Sequence, residues 1–330
     1  AENGFITNNV TDATVGATGI AGLVMNTKVG LQSFSKNNTP VGAVYAKTKT
    51  LNNGTITMTG RPTDGAVAMY TKYGKVENSV SGKVNIEDDN SIGRYGIDSS
   101  QVLNTGTVNV KGNSSLGLYG VSDDLLNPTV TGASGVLLRQ DATGIINVEG
   151  TDSAGIYGTK VRTVAGKTYT VENNGTINVN NGDSLGIYSD NVNVTTVGNI
   201  NLNDISVNTA GNRVGVYAQG TDATVTTTGA NINLGTKDQT NIAYYVTNNA
   251  KLSGANLETV SGYGILTAAQ DTTVNNTTMP TAITGTNGQI GLALLGTNTY
   301  GYTGDITVGN TVVSGLDKFY GIAMYTDNQN

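Results

Sequence analysis

Two carboxylates are the first candidates for chemistry. Asp152 and Asp183 each lie five residues before a tyrosine, Tyr157 and Tyr188. If the chain stacks those tyrosines, the two acids lie one repeat apart, roughly 5 Å. Paired carboxylates at about 5–5.5 Å suit a retaining glycosidase, and a cation could also bridge them. The same slot in other repeats holds Asn90, Ser114, Asn212 and Thr240. Those residues make Asx and ST turns, so the slot reads first as turn chemistry. Glu87-Asp88-Asp89 and Asp123-Asp124 are acidic clusters suited to a basic partner or Ca²⁺, or simply to solvated loop tips. No EF-hand loop or calcium-binding nonapeptide accompanies them. A serine nucleophile needs a base, and the chain has no histidine. No P-loop or dinucleotide fingerprint appears. These readings point away from an enzyme and call for no metal or cofactor.

One segment is locally basic. Between Thr159 and Val171 stand Lys160, Arg162, Lys167 and Tyr169, on a chain of net charge −6. A protruding loop on a rigid scaffold is where recognition usually lives. An arginine, two lysines and a tyrosine suit a sialylated glycan or an acidic protein surface. Lys160, Arg162, Lys167 and Tyr169 are therefore the expected partner-binding residues, with a plain hairpin excursion as the alternative.

What positions these residues is a repeat. SIGRYG (91–96), SLGLYG (115–120), SAGIYG (153–158), SLGIYS (184–189) and RVGVYA (213–218) are variants of one phrase. Anchored on the tyrosine, the series runs Tyr45, Tyr70, Tyr95, Tyr119, Tyr157, Tyr188, Tyr217, Tyr245 and Tyr325, with Val24, Leu137, Leu266 and Leu295 as degenerate anchors. Thirteen anchors from 24 to 325 give a mean period of about 25 residues. On this reading Tyr157 to Tyr188 is the longest tyrosine-to-tyrosine interval, and its extra length falls in 159–171. Two residues before every anchor the side chain is Gly or Ala, which implies a close backbone approach in each repeat.

A second phrase precedes the first: GTITM (54–58), GKVNI (82–86), GTVNV (106–110), GIINV (144–148), GTINV (175–179) and GNINL (198–202). It alternates apolar and polar residues and is rich in β-branched side chains, as a half-buried strand is. Val84 to Tyr95, Val108 to Tyr119, Ile146 to Tyr157 and Ile177 to Tyr188 all have the same separation in sequence. A constant separation implies one rigid corner per repeat. No 3.6-residue apolar period competes, and Asn, Thr, Gly and Val are poor helix formers. Units of this size bury a face only by stacking. The expected fold is all-β, a right-handed parallel β-helix of about 13 coils and period about 25 residues. Asn85, Asn109, Asn147, Asn178, Asn201 and Asn233 then face outward, where stacked amides can bond along the rod. Arg94 takes a slot otherwise held by Val44, Met69, Leu118, Ile156, Ile187 and Val216, and must be exposed or paired. The pattern leaves open whether the tyrosines face in or out.

Composition narrows the function. Of 330 residues, 45 are Gly, 4 are Pro, and Cys, His and Trp are absent. Zero Cys removes disulfides and thiolate chemistry. Hydrophobic residues are 37% and charged residues 13%, too apolar and too weakly charged for simple disorder. An acidic chain with no basic stripe disfavours nucleic acid. No apolar run approaches the ~20 residues of a membrane helix, so no direct membrane insertion of this segment is expected.

NNGTINV followed by SLGIYS resembles the passenger repeats of type V autotransporters, most closely the large fusobacterial outer-membrane adhesins. The resemblance spans roughly residues 20–325. It implies a β-helical passenger projecting from a bacterium, anchored by a barrel that residues 1–330 do not show. Residues 1–330 are then a single β-helical passenger segment of a larger protein. The resemblance also implies location at the bacterial cell surface and adhesion to a host cell-surface glycan or receptor, or to other bacteria. The alternatives are an inert spacer within a larger adhesin, or a carbohydrate-active β-helix enzyme.

Overall fold

The computed structural model describes residues 5–8, 23–25, 29–34, 49–60, 65–72, 74–98, 100–122, 137–161, 169–203, 212–228, 232–233, 241–253, 263–267, 273–274, 290–295 and 320–325. Every regular element among them is a strand. The strands form three parallel sheets of ten, eight and eleven strands, and over most of the chain each coil contributes one strand to each sheet in turn. In one coil these are Gln101–Asn104, Thr107–Val110 and Leu116–Ser122. Each pairs in parallel with its equivalent in the coils before and after: Val108 lies between Val84 and Ile146, and Tyr119 between Tyr95 and Tyr157. The chain is the expected right-handed parallel β-helix.

The coil count differs from the sequence expectation. Among the described residues the widest sheet has eleven strands, against thirteen anchors, of which Tyr45 lies outside the described residues. Val24 is not an anchor, because it lies in the second sheet opposite Thr57. Leu137 is not one either, because it opens a first-sheet strand opposite Gln101 and Thr170. Tyr119 to Tyr157 is therefore a single coil, and it is this coil, rather than Tyr157 to Tyr188, that is the longest in the tyrosine row. Toward the C-terminus Leu266 is in register with Ala293 and Ala323, so Leu295 and Tyr325 stand two places beyond the tyrosine row. With false anchors removed, the mean coil is longer than the sequence count implies. Insertions between sheets leave the ladder register unchanged, and they misled that count.

The core is a set of vertical ladders. The second sheet stacks Ile56, Val84, Val108, Ile146, Ile177, Ile200 and Ile232, all essentially without solvent contact. The first sheet stacks Val76, Val102, Leu138, Val171, Val194, Val225 and Leu252. Each such side chain contributes about 1.5–3 kcal/mol when fully buried. Polar ladders run beside them. Inside the corner between the first and second sheets, Asn52 Nδ2 donates to Asn78 Oδ1 at 2.7 Å, Asn78 to Asn104 at 3.0 Å, and Asn104 to Gln140 Oε1 at 2.8 Å. On the outer face of the second sheet Asn109 donates to Asn85, Asn147 to Asn109, Asn178 to Asn147 and Asn201 to Asn178, at 2.8–2.9 Å. This is the outward amide ladder the alternation implied.

The small-residue column has the expected cause. A Cβ on Gly117 would lie 2.5 Å from the Gly155 carbonyl oxygen, and one on Gly155 would lie 2.8 Å from that of Gly186. Gly93, Gly186 and Gly215 meet the next coil in the same way. Arg94 departs from expectation, being neither exposed nor paired. It is 0% exposed and stacked between Met69 and Leu118, with Nε, Nη1 and Nη2 all lacking a hydrogen-bond partner. Burial pushes its pKa down to about 9.

Two outcomes are expected. Gly117→Ala should lose about 1–3 kcal/mol in urea unfolding, because the neighbouring coil cannot yield. Arg94→Met should gain roughly 1–4 kcal/mol at neutral pH, since it removes an unpartnered buried charge. In the unfolded chain arginine keeps its proton past pH 12, so above pH 9 only the folded state releases one. The wild type should therefore close the gap on Arg94→Met as pH rises above 9.

Candidate functional site

The third sheet carries the feature that stands out chemically. Its strands bend at the glycine. Register pairing runs Leu116 with Ile92 and Leu118 with Arg94 and skips the glycines between. Gly117 and Leu118 are consequently both buried, and Tyr119 faces out. The same bend recurs in each coil, so Tyr70, Tyr95, Tyr119, Tyr157, Tyr188, Tyr217 and Tyr245 form one outward row, each half-buried. Neighbouring ring centroids are 5.5, 4.8, 5.3, 4.3, 5.1 and 4.8 Å apart. Four of the six contacts are stacked at 15–19°, and the Tyr70–Tyr95 and Tyr119–Tyr157 contacts are edge-on. At about 4.8 Å per coil the row is about 29 Å long.

Apolar side chains flank it. Val67, Ile92, Leu116 and Leu185 are partly exposed on one side, Ile97 and Val121 on the other. Farther along the second flank the row turns polar at Asp190 and Gln219, and Tyr217 Oη lies 3.4 Å from Gln219 Oε1. A partly exposed aromatic row of this length, flanked in places by aliphatic side chains, is the candidate interaction surface among the described residues. The phenols titrate high. Burial, then the neighbouring phenols and Asp98, pushes Tyr95 up to about 12. Burial first, with Tyr157, Asp190 and Tyr217 adding, raises Tyr188 further.

The residues singled out from sequence lie elsewhere. Asp152 and Asp183 both have φ 53°, with Asn90 at 54° and Ser114 at 52° in the equivalent positions. The slot is a left-handed turn between the second and third sheets, and Asp, Asn and Ser are there for backbone reasons. Asp183 Oδ1 accepts from the Asn212 amide at 3.1 Å. Of the first acidic cluster, Glu87 pairs with Lys111 at 3.4 Å, Asp89 accepts from the Asn113 amide at 2.7 Å, and Asp88 is buried. Asp123 and Asp124 lie outside the described residues. No group of three metal-ligating side chains occurs among the described residues. Gly182-Asp183-Ser184-Leu185-Gly186 spells the pattern of a hydrolase nucleophile elbow. Here Ser184 is fully buried between strands, its hydroxyl donating to the Gly150 carbonyl at 2.8 Å and accepting from the Ser153 amide at 3.2 Å.

The basic segment is divided. Lys160 is 9% exposed and its ammonium pairs with Asp222, two coils away, at 2.5 Å. The same ammonium lies 5.5 Å from the ring of Tyr169, which is 4% exposed and part of the core. Arg162 and Lys167 lie outside the described residues. Lys160 and Tyr169 are thus used inside the rod, while the outward tyrosine row was in plain sight as a repeat anchor.

No family model, curated protein or solved structure matches the chain.

The ladder should leave a signature at high pH. Its phenols stay neutral in the folded state while unfolded tyrosine ionises near pH 10, so folding binds extra protons above that pH and stability falls. Wild type should lose stability relative to Tyr95→Phe between pH 10 and about 12, the value for Tyr95. A phenolate absorbance titration, with urea melts at matched pH, checks this.

Proposed function

We propose that this chain is an adhesive rod, a segment of a bacterial surface adhesin of the autotransporter kind, and that the tyrosine face of the third sheet is its contact surface. The observation that carries the reading is the unbroken outward row from Tyr70 to Tyr245, held at coil spacing by a rigid core. Aromatic side chains bring large contact area at little entropic cost and dominate binding energies. A row repeated every coil engages its target many times over, which suits multivalent attachment to a host cell-surface glycan or receptor, or to another bacterium. The absence of cysteine suits a chain exported unfolded through a barrel.

The face, rather than the 159–171 segment, is assigned this role because Lys160 and Tyr169 are already engaged internally. Their engagement also favours a spacer reading for that loop. The test is attachment of the 330-residue chain to host cells and partner bacteria, with glycan and receptor panels alongside. Replacing Tyr157, Tyr188 and Tyr217 together by Ala should weaken attachment at least tenfold, a loss of about 1.4 kcal/mol or more. Deleting 162–168 should leave it nearly unchanged. If the tyrosine variant binds normally while the deletion abolishes binding, the face assignment is wrong. If the intact chain binds nothing, the segment is a spacer.

A further inference from the structure

Seven phenols in one row are also a chemical resource. The chain has no cysteine, so no disulfide can brace one coil against the next. The tyrosine row has the geometry for a different covalent brace. Tyr157 and Tyr188 are a whole coil apart in sequence, yet they are directly paired across adjacent strands, with ring centroids 4.3 Å apart at 19°. Tyr188 and Tyr217 stack at 5.1 Å and 17°, Tyr217 and Tyr245 at 4.8 Å and 15°, Tyr95 and Tyr119 at 4.8 Å and 19°. All are half-exposed, so a one-electron oxidant can reach them from solvent.

We propose that the stacked rungs of this row are sites of oxidative tyrosine–tyrosine cross-linking, with Tyr157–Tyr188 the favoured pair, under attack by hydrogen peroxide and a haem peroxidase. The peroxidase removes the phenolic hydrogen atom from each ring. The two phenoxyl radicals form a carbon–carbon bond between positions ortho to their oxygens. Each ortho hydrogen then returns to its own phenol oxygen as the ring regains aromaticity. The protein loses two hydrogens in total, and one hydrogen peroxide becomes two waters. Radical coupling normally waits on the encounter of two radicals, whereas here the partner ring is already in place.

Ring orientation sets the selectivity. In the near-parallel pairs the two rings present their faces to one another at centroid distances of 4.3–5.1 Å. At Tyr119–Tyr157, 77° and 5.3 Å, one ring meets the other edge-on and that alignment is absent. Tyr244, adjacent in sequence to Tyr245, points into the core and is fully buried, out of reach of the oxidant. The product is a staple between successive coils. It restricts the unfolded chain as a disulfide does and raises the barrier to peeling the rod apart. The inference does not depend on the adhesion reading.

The experiment treats the full chain at high dilution with horseradish peroxidase and hydrogen peroxide, then maps cross-linked peptides by mass. The expected result is a protein of unchanged molecular size with dityrosine fluorescence. The main product should be Tyr157–Tyr188, with little Tyr119–Tyr157 and no Tyr244 product. Thermal unfolding of the oxidised protein should shift upward. Tyr188→Phe keeps the stacked ring but loses both the 157–188 and 188–217 products, while retaining 95–119. Performing the oxidation in urea should abolish the preference for neighbouring rungs. Cross-links formed only between molecules, or spread over tyrosines without regard to the stack, would overturn the proposal. So would an absence of dityrosine while free tyrosine in the same tube is coupled.

Discussion

Each coil of this chain is joined to the next by parallel backbone hydrogen bonds, and those bonds impose one spacing, near about 4.8 Å, on everything attached to them. The rest of the molecule follows from that spacing. A coil cannot tilt away to make room for a side chain, so where the third sheet bends, the column must stay small. The Gly117, Gly155, Gly186 and Gly215 positions are the result. Because the bend recurs at the same place, residues on either side of it fall into rows, and chemistry in this protein is organised by row.

A row of like residues is tolerable only if the residues satisfy one another at that distance. Amides do so, since each has a donor and an acceptor, and the chain uses them both inside the corner and outside on the second sheet. Aliphatic side chains do so by contact. Tyrosine rings do so by stacking. Serine hydroxyls at Ser91, Ser115, Ser153 and Ser184 accept from the backbone amide of the coil before. Charged groups are the poorest fit, because a stacked column of like charges repels. The exceptions show how the rule is met. Buried Arg213 finds Asn241 and the Asn203 carbonyl, whereas Arg94 sits in an aliphatic column with nothing to bond.

This ordering also separates residues that look functional from residues placed for structural reasons. Acids at 152 and 183 repeat because a left-handed turn repeats, with Asn and Ser serving equally well in neighbouring coils. The tyrosines repeat at a position where nothing inside the rod requires a phenol. The core places its own large side chains one residue earlier, at Met69, Leu118, Ile156, Ile187 and Val216. The aromatic row therefore lies on the outer face of the third sheet, beside the core column and not in it.

Much was determined by the sequence alone. The repeated phrases, their constant separation and the invariant small residue specify a stacked parallel solenoid, because local alternation and close approach are both written in residue type. The outward asparagine ladder was legible for the same reason: a simple strand alternates, and GTVNV alternates. The direction of the tyrosines was not legible. Alternation breaks at Gly117, where two successive residues turn inward, and only the pairing of strands across coils reveals the bend. Val24 and Leu137 are not distinguishable from anchors in the sequence, since an apolar residue after a glycine looks like an anchor until its strand partner is known. The fates of Lys160, with its partner two coils on at Asp222, and of Arg94, walled in by Met69 and Leu118, likewise belonged to the tertiary structure. Sequence records what each residue offers to a neighbour, and the stacking of coils decides which neighbour it receives.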